Sequence, residues 1–379
     1  MKVAHAARPR IGCRGHRSLG AGVLDTTLET LYRGNPAARE EGAYLFLDET
    51  QAVEGWARFA RRVLDSESVR LYVSGSSAKM LSTEVATEFR GRGQAVELLP
   101  LSFPEALLYA GVELSTSTPG SRLRSRLEAA FTDYLRVGGF PDVQGLAESE
   151  RIQTLQDYVQ LVLLRDIIER HGVKNAHAVR FFVLSLLQSS GSLTSVNKLA
   201  NNLKSRGIAV GKDTLYDLLE FFKDAFLLFT LPVFNRSLRV REANAKKVYA
   251  VDPGLAFAVA PAGVSNLGAR LENAVYLELR RRVRATRDGA ISYYHTAAGH
   301  EVDFIVGDPE VGVATQLLQV CADSSAATTL DREVRALEEA MGETGLVEAT
   351  IVTMHYAEDV SVASGVVHVV PAWAWMLGV

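Results

Sequence analysis

The sequence predicts an α/β protein with a parallel sheet core toward the N-terminus, a helical middle and a second α/β module at the C-terminus. Three observations point there. Two short apolar runs, Ala43–Leu47 and Val69–Val73, bracket an amphipathic stripe, and the order strand, helix, strand implies parallel pairing through a crossover. Residues 178–234 carry three helical patterns before a β-rich run. The last third reads as a helix, three strands separated by glycine-bearing turns, a helix and a strand. With 379 residues, 47% of them hydrophobic and 22% charged, the chain can bury real cores, and at roughly 150 residues per domain it has the length for two or three.

Each element has its own reason. Ala43–Leu47 is continuously apolar, which suits a strand buried on both faces, and it ends in Asp48 and Glu49. Trp56, Phe59, Ala60, Val63 and Leu64 recur with the spacing of one helix face. Val69–Val73 is a second buried strand, and Ser74, Gly75, Ser76 and Ser77 turn the chain off its carboxyl end, the edge where parallel sheets place ligands. After a loop at 115–120, Leu123, Leu127, Ala130, Phe131 and Tyr134 share a helix face, and Gly138, Gly139 and Pro141 stop that helix at an expected module boundary. A helix follows over 154–170, and the last of the middle helices starts at the cap Asp213 with Leu215, Leu218, Leu219 and Phe222 on one face. The final module is a helix at 271–283, strands at 291–295, 301–306 and 315–321, a helix at 330–341 and a strand at 349–354. The expected domains are an altered or disordered segment 1–27, a core 28–145, a helical region 146–262 and a C-terminal module 263–379.

Charge and cysteine content exclude several functions. Lys and Arg total 41 against 44 Asp and Glu, a formal charge of -3, so any nucleic acid is held by a local patch and not by a global field. The longest apolar run, 225–234, contains Thr230 and Pro232 and falls short of the roughly 20 residues of a membrane span. Cys13 and Cys321 are the only cysteines, which excludes a disulfide framework and fits a reducing cytoplasm.

Tyr44 to Glu49 has the form of a Walker B strand. An aspartate at such a tip holds Mg²⁺, and the glutamate after it orients an attacking water. Ser76 ends the neighbouring strand, and Arg90 and Arg92 sit among flexible glycines, a setting suited to a phosphate. These segments, with 99–107, 137–143, 157–173, 210–227, 247–256 and 300–306, resemble in order the prokaryotic AAA-type P-loop ATPases that carry a C-terminal domain of unknown function, over nearly nine tenths of the chain. The resemblance implies ATP and Mg²⁺ as cofactors. It makes Asp48 the metal ligand and, with Ser76, the nucleotide contact; Asp48, Glu49, Ser76, Arg90 and Arg92 are the catalytic candidates. AAA-type cores also work as homo-oligomeric rings with an arginine supplied in trans.

One part of the pattern is missing. No G-x-x-x-x-G-K-[ST] run occurs; the only Gly-Lys pair, Gly211-Lys212, is followed by Asp213 and has Gly207 one position too close. The reading is therefore of a chain altered or truncated ahead of its Walker B strand, with weak ATP binding and little or no turnover.

Two further patterns concern nucleic acids. Residues 195–212 hold Lys198, Lys204, Arg206 and Lys212 without acids and lead into a helix and an apolar strand, the order of a winged helix. The helix from Asp213 carries Asp217, Glu220 and Asp224, a poor face for a polyanion, so a scaffold role is favoured and Arg236, Arg239, Arg241, Lys246 and Lys247 become the better phosphate-binding candidates. In the C-terminal module, Glu272 on a helix, Asp303 on a strand and Gln319 on the next resemble a restriction-endonuclease-like site, which needs carboxylates for divalent metal and a lysine two residues past the last of them. Glu301 and Asp303 share one strand face, as do Gln319 and Cys321. Cys321 stands where lysine belongs, and a thiol with a reference pKa near 8.5 brings no positive charge, so slow cleavage or none is expected. His295 and His300 flank this hairpin as metal candidates.

The fold expected is thus a partial P-loop (AAA-type) parallel sheet, a winged-helix segment and a restriction-endonuclease-like α/β module. The function expected is an ATP-binding, nucleotide-dependent regulatory switch compromised by the missing loop. A metal-dependent nuclease or nucleic-acid-binding protein, and a non-enzymatic interaction protein, stay open as alternatives.

Overall fold

The computed structural model describes residues 19–20, 22–50, 53–77, 87, 89, 92–112, 120–208, 210–261, 266–286, 289–322 and 327–379. The chain divides into two compact units, Met1–Leu98 with Asp224–Phe226, and Leu99–Lys223 with Leu227–Val379.

In the first unit β1 (Leu19–Gly20) pairs in parallel with β3 (Val53–Glu54), and α1 (Gly22–Gly34) and α2 (Ala37–Glu40) lead into β2 (Ala43–Leu47). The helix α3 (Trp56–Ser66) crosses over to β4 (Val69–Val73), which pairs in parallel with β2 from Ala43↔Val69 to Leu47↔Val73. Leu28, Leu45, Phe59 and Val63 form the core between the helices and one sheet face. The expectation that both strands are buried on both faces is corrected here. Period-2 alternation sends Tyr44, Phe46, Arg70 and Tyr72 to the other face, where Phe46 is 58% and Tyr72 51% exposed. Their rings stack at 4.9 Å and so shield each other.

The second unit begins with α4 (Phe103–Tyr109), capped by a reciprocal Ser102–Glu105 box, and α5 (Ser121–Val137). The helix α6 (Glu148–Val162) runs on into a π-helical turn, Leu163–Glu169. The chain then makes α7 (Ala176–Gln188), β5 (Leu193–Thr194), α8 (Val196–Ser205) and α9 (Lys212–Asp224), the last beginning one residue before the expected cap. Next come β6 (Leu228–Leu231), α10 (Leu238–Ala243), β7 (Lys246–Ala250) and α11 (Pro253–Val259). The strands β5, β7 and β6 form a three-stranded antiparallel sheet with β7 in the centre.

The glycines that stop α5 also bring backbone segments together. Asp252 caps α11 by accepting from Leu255 N at 2.9 Å and reaches across to accept from Gly139 N at 2.6 Å, while Leu101 N donates to Gly139 O. A side chain on Gly139 would place its Cβ 2.0 Å from Leu101 O, and Gly138 adopts a φ of +77°. The pair is glycine because three backbone segments meet there.

The C-terminal part is α12 (Leu267–Thr286), β8 (Ala290–His295), β9 (Glu301–Asp308), β10 (Val313–Cys321), α13 (Ala327–Thr344), β11 (Glu348–Thr353), β12 (Glu358–Val362), β13 (Gly365–Pro371) and α14 (Ala372–Leu377). The six strands are ordered β12-β13-β11-β10-β9-β8. The expected meander is β8-β9-β10, and α13 returns the chain so that β11 lies parallel to β10. The hairpin β12-β13 extends the sheet beyond the strands read from the sequence. Val302, Ile305, Leu317, Leu337, Ile351 and Val367 fill the core between sheet and α13.

Candidate functional site

The first candidate lies at the carboxyl end of the β2/β4 pair. Ser74 N donates to Leu47 O at 2.9 Å and Thr50 N to Ser74 O at 3.2 Å, which extends the pairing past both strands. This brings the expected residues together: the Ser74 hydroxyl donates to Asp48, and Ser76 Oγ to Glu49 Oε2 at 3.1 Å. Glu49 holds a left-handed φ of +53°, a conformation that costs a side-chain-bearing residue about 1 kcal/mol or more. Arg92 donates to Asp65, and Arg90 lies outside the described residues.

Asp48 and Glu49 are both exposed and offer hard oxygen donors of the kind Mg²⁺ takes alongside several retained waters. A nucleotide's phosphates would meet these acids through that ion, and no G-x-x-x-x-G-K-[ST] run occurs in the sequence given.

The second candidate is built in the second unit around an ammonium. On β7, Lys247 and Tyr249 are two residues apart and therefore face the same way. Both reach Glu272 Oε1 on α12, Lys247 Nζ at 3.0 Å and the Tyr249 hydroxyl at 2.8 Å. From β9, Glu301 and Asp303 face the same point, with carboxylate oxygens 2.8 and 2.6 Å from Lys247 Nζ. Lys247 is only 1% exposed. The ladder between β9 and β10 ends at Phe304↔Leu318, and side chains take over beyond it. Asp303 N donates to Gln319 Oε1 at 2.9 Å, Val320 N to Asp303 Oδ2 at 2.9 Å, and Gln319 Nε2 to Glu333 Oε2 at 2.7 Å.

Burial alone pulls the Lys247 pKa down, and the nearby Asp303, Glu272 and Glu301 carboxylates more than reverse this, leaving it raised. Burial, and then Asp303, push Glu272 above the usual carboxylate range, opposed by Lys247. One cation thus faces three carboxylates, and burial opposes the charged form of Glu272.

Glu272, Asp303 and Gln319 are brought together as the sequence suggested; Lys247 at their centre was not foreseen there. Its signal was a lysine in the alternation of a buried strand, directly before the apolar end Val248–Ala250 of β7. The phosphate-binding expectation for this stretch is corrected accordingly. Lys247 is enclosed by acids, Arg241 is buried and donates to Asn235 O at 2.9 Å while pairing with Glu310, and Lys246 pairs with Glu242. Cys321 packs in the core beneath the sheet. His300 Nδ1 lies 2.6 Å from Glu339 Oε2, and His295 sets its ring edge against Tyr293. Among the described residues no group of three or more His, Cys, Asp or Glu is arranged to hold a metal ion, and no helix is long and apolar enough to cross a membrane.

Comparison with known proteins divides the chain into three matches. A family model described as an AAA domain matches residues 17–107, a domain of unknown function (DUF8612) matches 128–267, and a second domain of unknown function (DUF4143) matches 267–375. An uncharacterized protein of Methanocaldococcus jannaschii is 31% identical over 341 residues, which cover 88% of this chain and 74% of the relative. An uncharacterized protein of Haemophilus influenzae is 32% identical over 268 residues, 70% of this chain and 63% of the relative.

Proposed function

The chain belongs to the AAA-type family whose members join an AAA domain to a C-terminal domain of unknown function, and from that premise we propose a nucleotide-dependent regulatory protein whose ATP binding is weak. The observation that carries the reading is the acid pair Asp48–Glu49, held by Ser74 and Ser76 at the carboxyl edge of a parallel pair. In this reading Asp48 holds Mg²⁺, which when bound would screen the charge of the phosphates. Glu49 orients water, Ser76 senses the terminal phosphate, and Arg90 and Arg92 serve as arginine donors, in cis or to a neighbouring copy.

The weakness follows from the absent lysine loop. Each lost charge-assisted hydrogen bond costs about 1.5–3 kcal/mol, at least a tenfold loss of affinity, so losing three moves a micromolar site to roughly millimolar. Titration calorimetry with Mg-ATP tests this: millimolar affinity that weakens further in Asp48→Asn is expected, and micromolar affinity overturns the reading.

A second reading concerns the other unit. The order α7, β5, α8, α9, β6, β7 with its antiparallel three-stranded sheet supports a winged helix, and α12, β8, β9, β10, α13, β11 with Glu272, Asp303 and Gln319 supports a nuclease-like module. The Lys247 ammonium among three carboxylates favours a binding module for nucleic acid or protein over an active nuclease, because it occupies the point on which those carboxylates converge and where a divalent ion would have to sit. Mn²⁺-dependent nicking of plasmid DNA by the wild type, abolished in Asp303→Ala, would contradict this second reading and leave the first untouched.

A further inference from the structure

Two arginines of the second unit flank one aromatic ring, and a third joins the first of them through a shared carboxylate. Arg136, in the last turn of α5, has its Cζ 5.9 Å from the Phe257 ring centre on α11, and Arg270 on α12 has its Cζ 5.0 Å from the same centre. Arg151 on α6 shares the carboxylate of Glu148 with Arg136, its Nη2 lying 3.5 Å from Glu148 Oε2. Among the described residues the other acid paired in the group is Asp133, 3.9 Å from Arg136 Nη1.

Arg151 and Arg270 are 6% and 9% exposed. Each keeps a fully buried N–H group with no hydrogen-bond partner, Arg151 Nε and Arg270 Nη1. Among the described residues Arg270 has one backbone contact, Nε to Asn266 O at 3.4 Å, and no carboxylate paired with it. A buried guanidinium left without an acceptor is costly, and such groups persist where something else supplies the acceptor. Burial, and then the nearby Arg136 charge, lower the Arg270 pKa, the direction expected of a cation short of an anion.

We propose that Arg136, Arg151 and Arg270 form a binding site for a phosphoryl oxyanion beside Phe257. Guanidinium groups supplied by three helices offer several N–H donors, and a tetrahedral group with several acceptor oxygens answers such a set better than a planar carboxylate, which fits a single fork. Arg136, with 43% of its side chain exposed, opens the site to solvent, and Phe257 gives the bound group's neighbours an apolar wall. This site draws on none of the residues assigned to nucleotide in the first unit, so its test is separate from that reading.

The test is thermal unfolding of the full chain in about 10 mM sodium phosphate against sodium chloride of equal ionic strength, with pyrophosphate and acetate in parallel. A ligand in excess of its Kd stabilises the folded state, and a rise of about 2 °C or more in phosphate or pyrophosphate is expected. A response to phosphate points to free phosphate as occupant and one to pyrophosphate alone points to a diphosphate; both support the site. The shift should vanish in Arg270→Met and in Arg136→Gln and persist in Arg124→Gln, whose guanidinium serves Glu128 elsewhere. If Arg270→Met fails to unfold cooperatively, the half-exposed Arg136→Gln carries the test. Equal shifts in chloride or acetate, no shift at all, or a shift retained in Arg136→Gln overturns the proposal.

Discussion

Replacing Lys247 by methionine keeps most of the length of the side chain and removes the ammonium. Its Nζ lies within 3.0 Å of oxygens from Glu272, Glu301 and Asp303. The variant therefore leaves Glu272 and Asp303, with side chains 14% and 11% exposed, facing each other without a counter-charge. Removing one partner of a buried ion pair costs about 3–5 kcal/mol, and Glu301 adds little because water reaches it. At roughly 2–4 °C per kcal/mol for a body of this size, the midpoint should fall by about 6–20 °C near neutral pH. Unfolding followed by the fluorescence of Trp373 and Trp375 on α14 reads it within the second unit. The deficit should shrink as pH falls, because protonating Glu272, whose pKa burial already raises, removes one of the two opposed charges. In the wild type the lysine's folded pKa exceeds its unfolded value of about 10.4, so its stabilisation is complete below that pH and is lost only as pH rises through the folded value. A loss under about 1 kcal/mol, or one that does not shrink as pH falls through the raised pKa of Glu272, would refute the assignment of Lys247 as the cluster's counter-charge.

Asp252 gives a pH signal of opposite kind. Burial raises its pKa from 3.8 to about 6, against the hydrogen bonds from Gly139 and Leu255. The folded state therefore holds the extra proton between those values, and stability should fall across that window as pH rises, by about 3 kcal/mol, in denaturation curves taken at successive pH values. Asp252→Asn should flatten the dependence, yet cost about 1–3 kcal/mol, because its amide nitrogen must face one of two N–H donors. Gly139→Ala should prevent folding of the second unit, since its Cβ would sit 2.0 Å from Leu101 O, whereas Gly120→Ala, with open space around it, should cost no more than about 1 kcal/mol; soluble yield and unfolding midpoints distinguish the two.

Much of this architecture was legible because its signals are local. The β2-α3-β4 unit follows from apolar runs and a helical stripe, and the shared facing of Glu301 and Asp303 follows from strand pleat alone. What was not legible depends on partners far along the chain. A lysine's identity does not reveal whether it meets water or acids, and those of Lys247 lie on α12 and β9. Gly138 and Gly139 look like a break until Asp252, 113 residues from Gly139, closes on them. A short apolar run such as Ala43–Leu47 cannot by itself distinguish a ring turned toward a helix from one stacked on its neighbour in the open, as Phe46 is on Tyr72. The hairpin β12-β13 had a usable signal in the alternating valines 360–370, so its absence from the expected fold was a failure of reading and not of information.

The place of Lys247 bears on how such chains can be cut and recombined. Sequence similarity parts the molecule at residue 267, between the lysine and every carboxylate it serves. A fragment starting there would carry the acids of the sheet without their cation and would have to find another from solvent. Swapping C-terminal domains between relatives would meet the same obstacle unless the strand bearing the lysine travelled with them, so the unit of inheritance should be larger than the unit of resemblance.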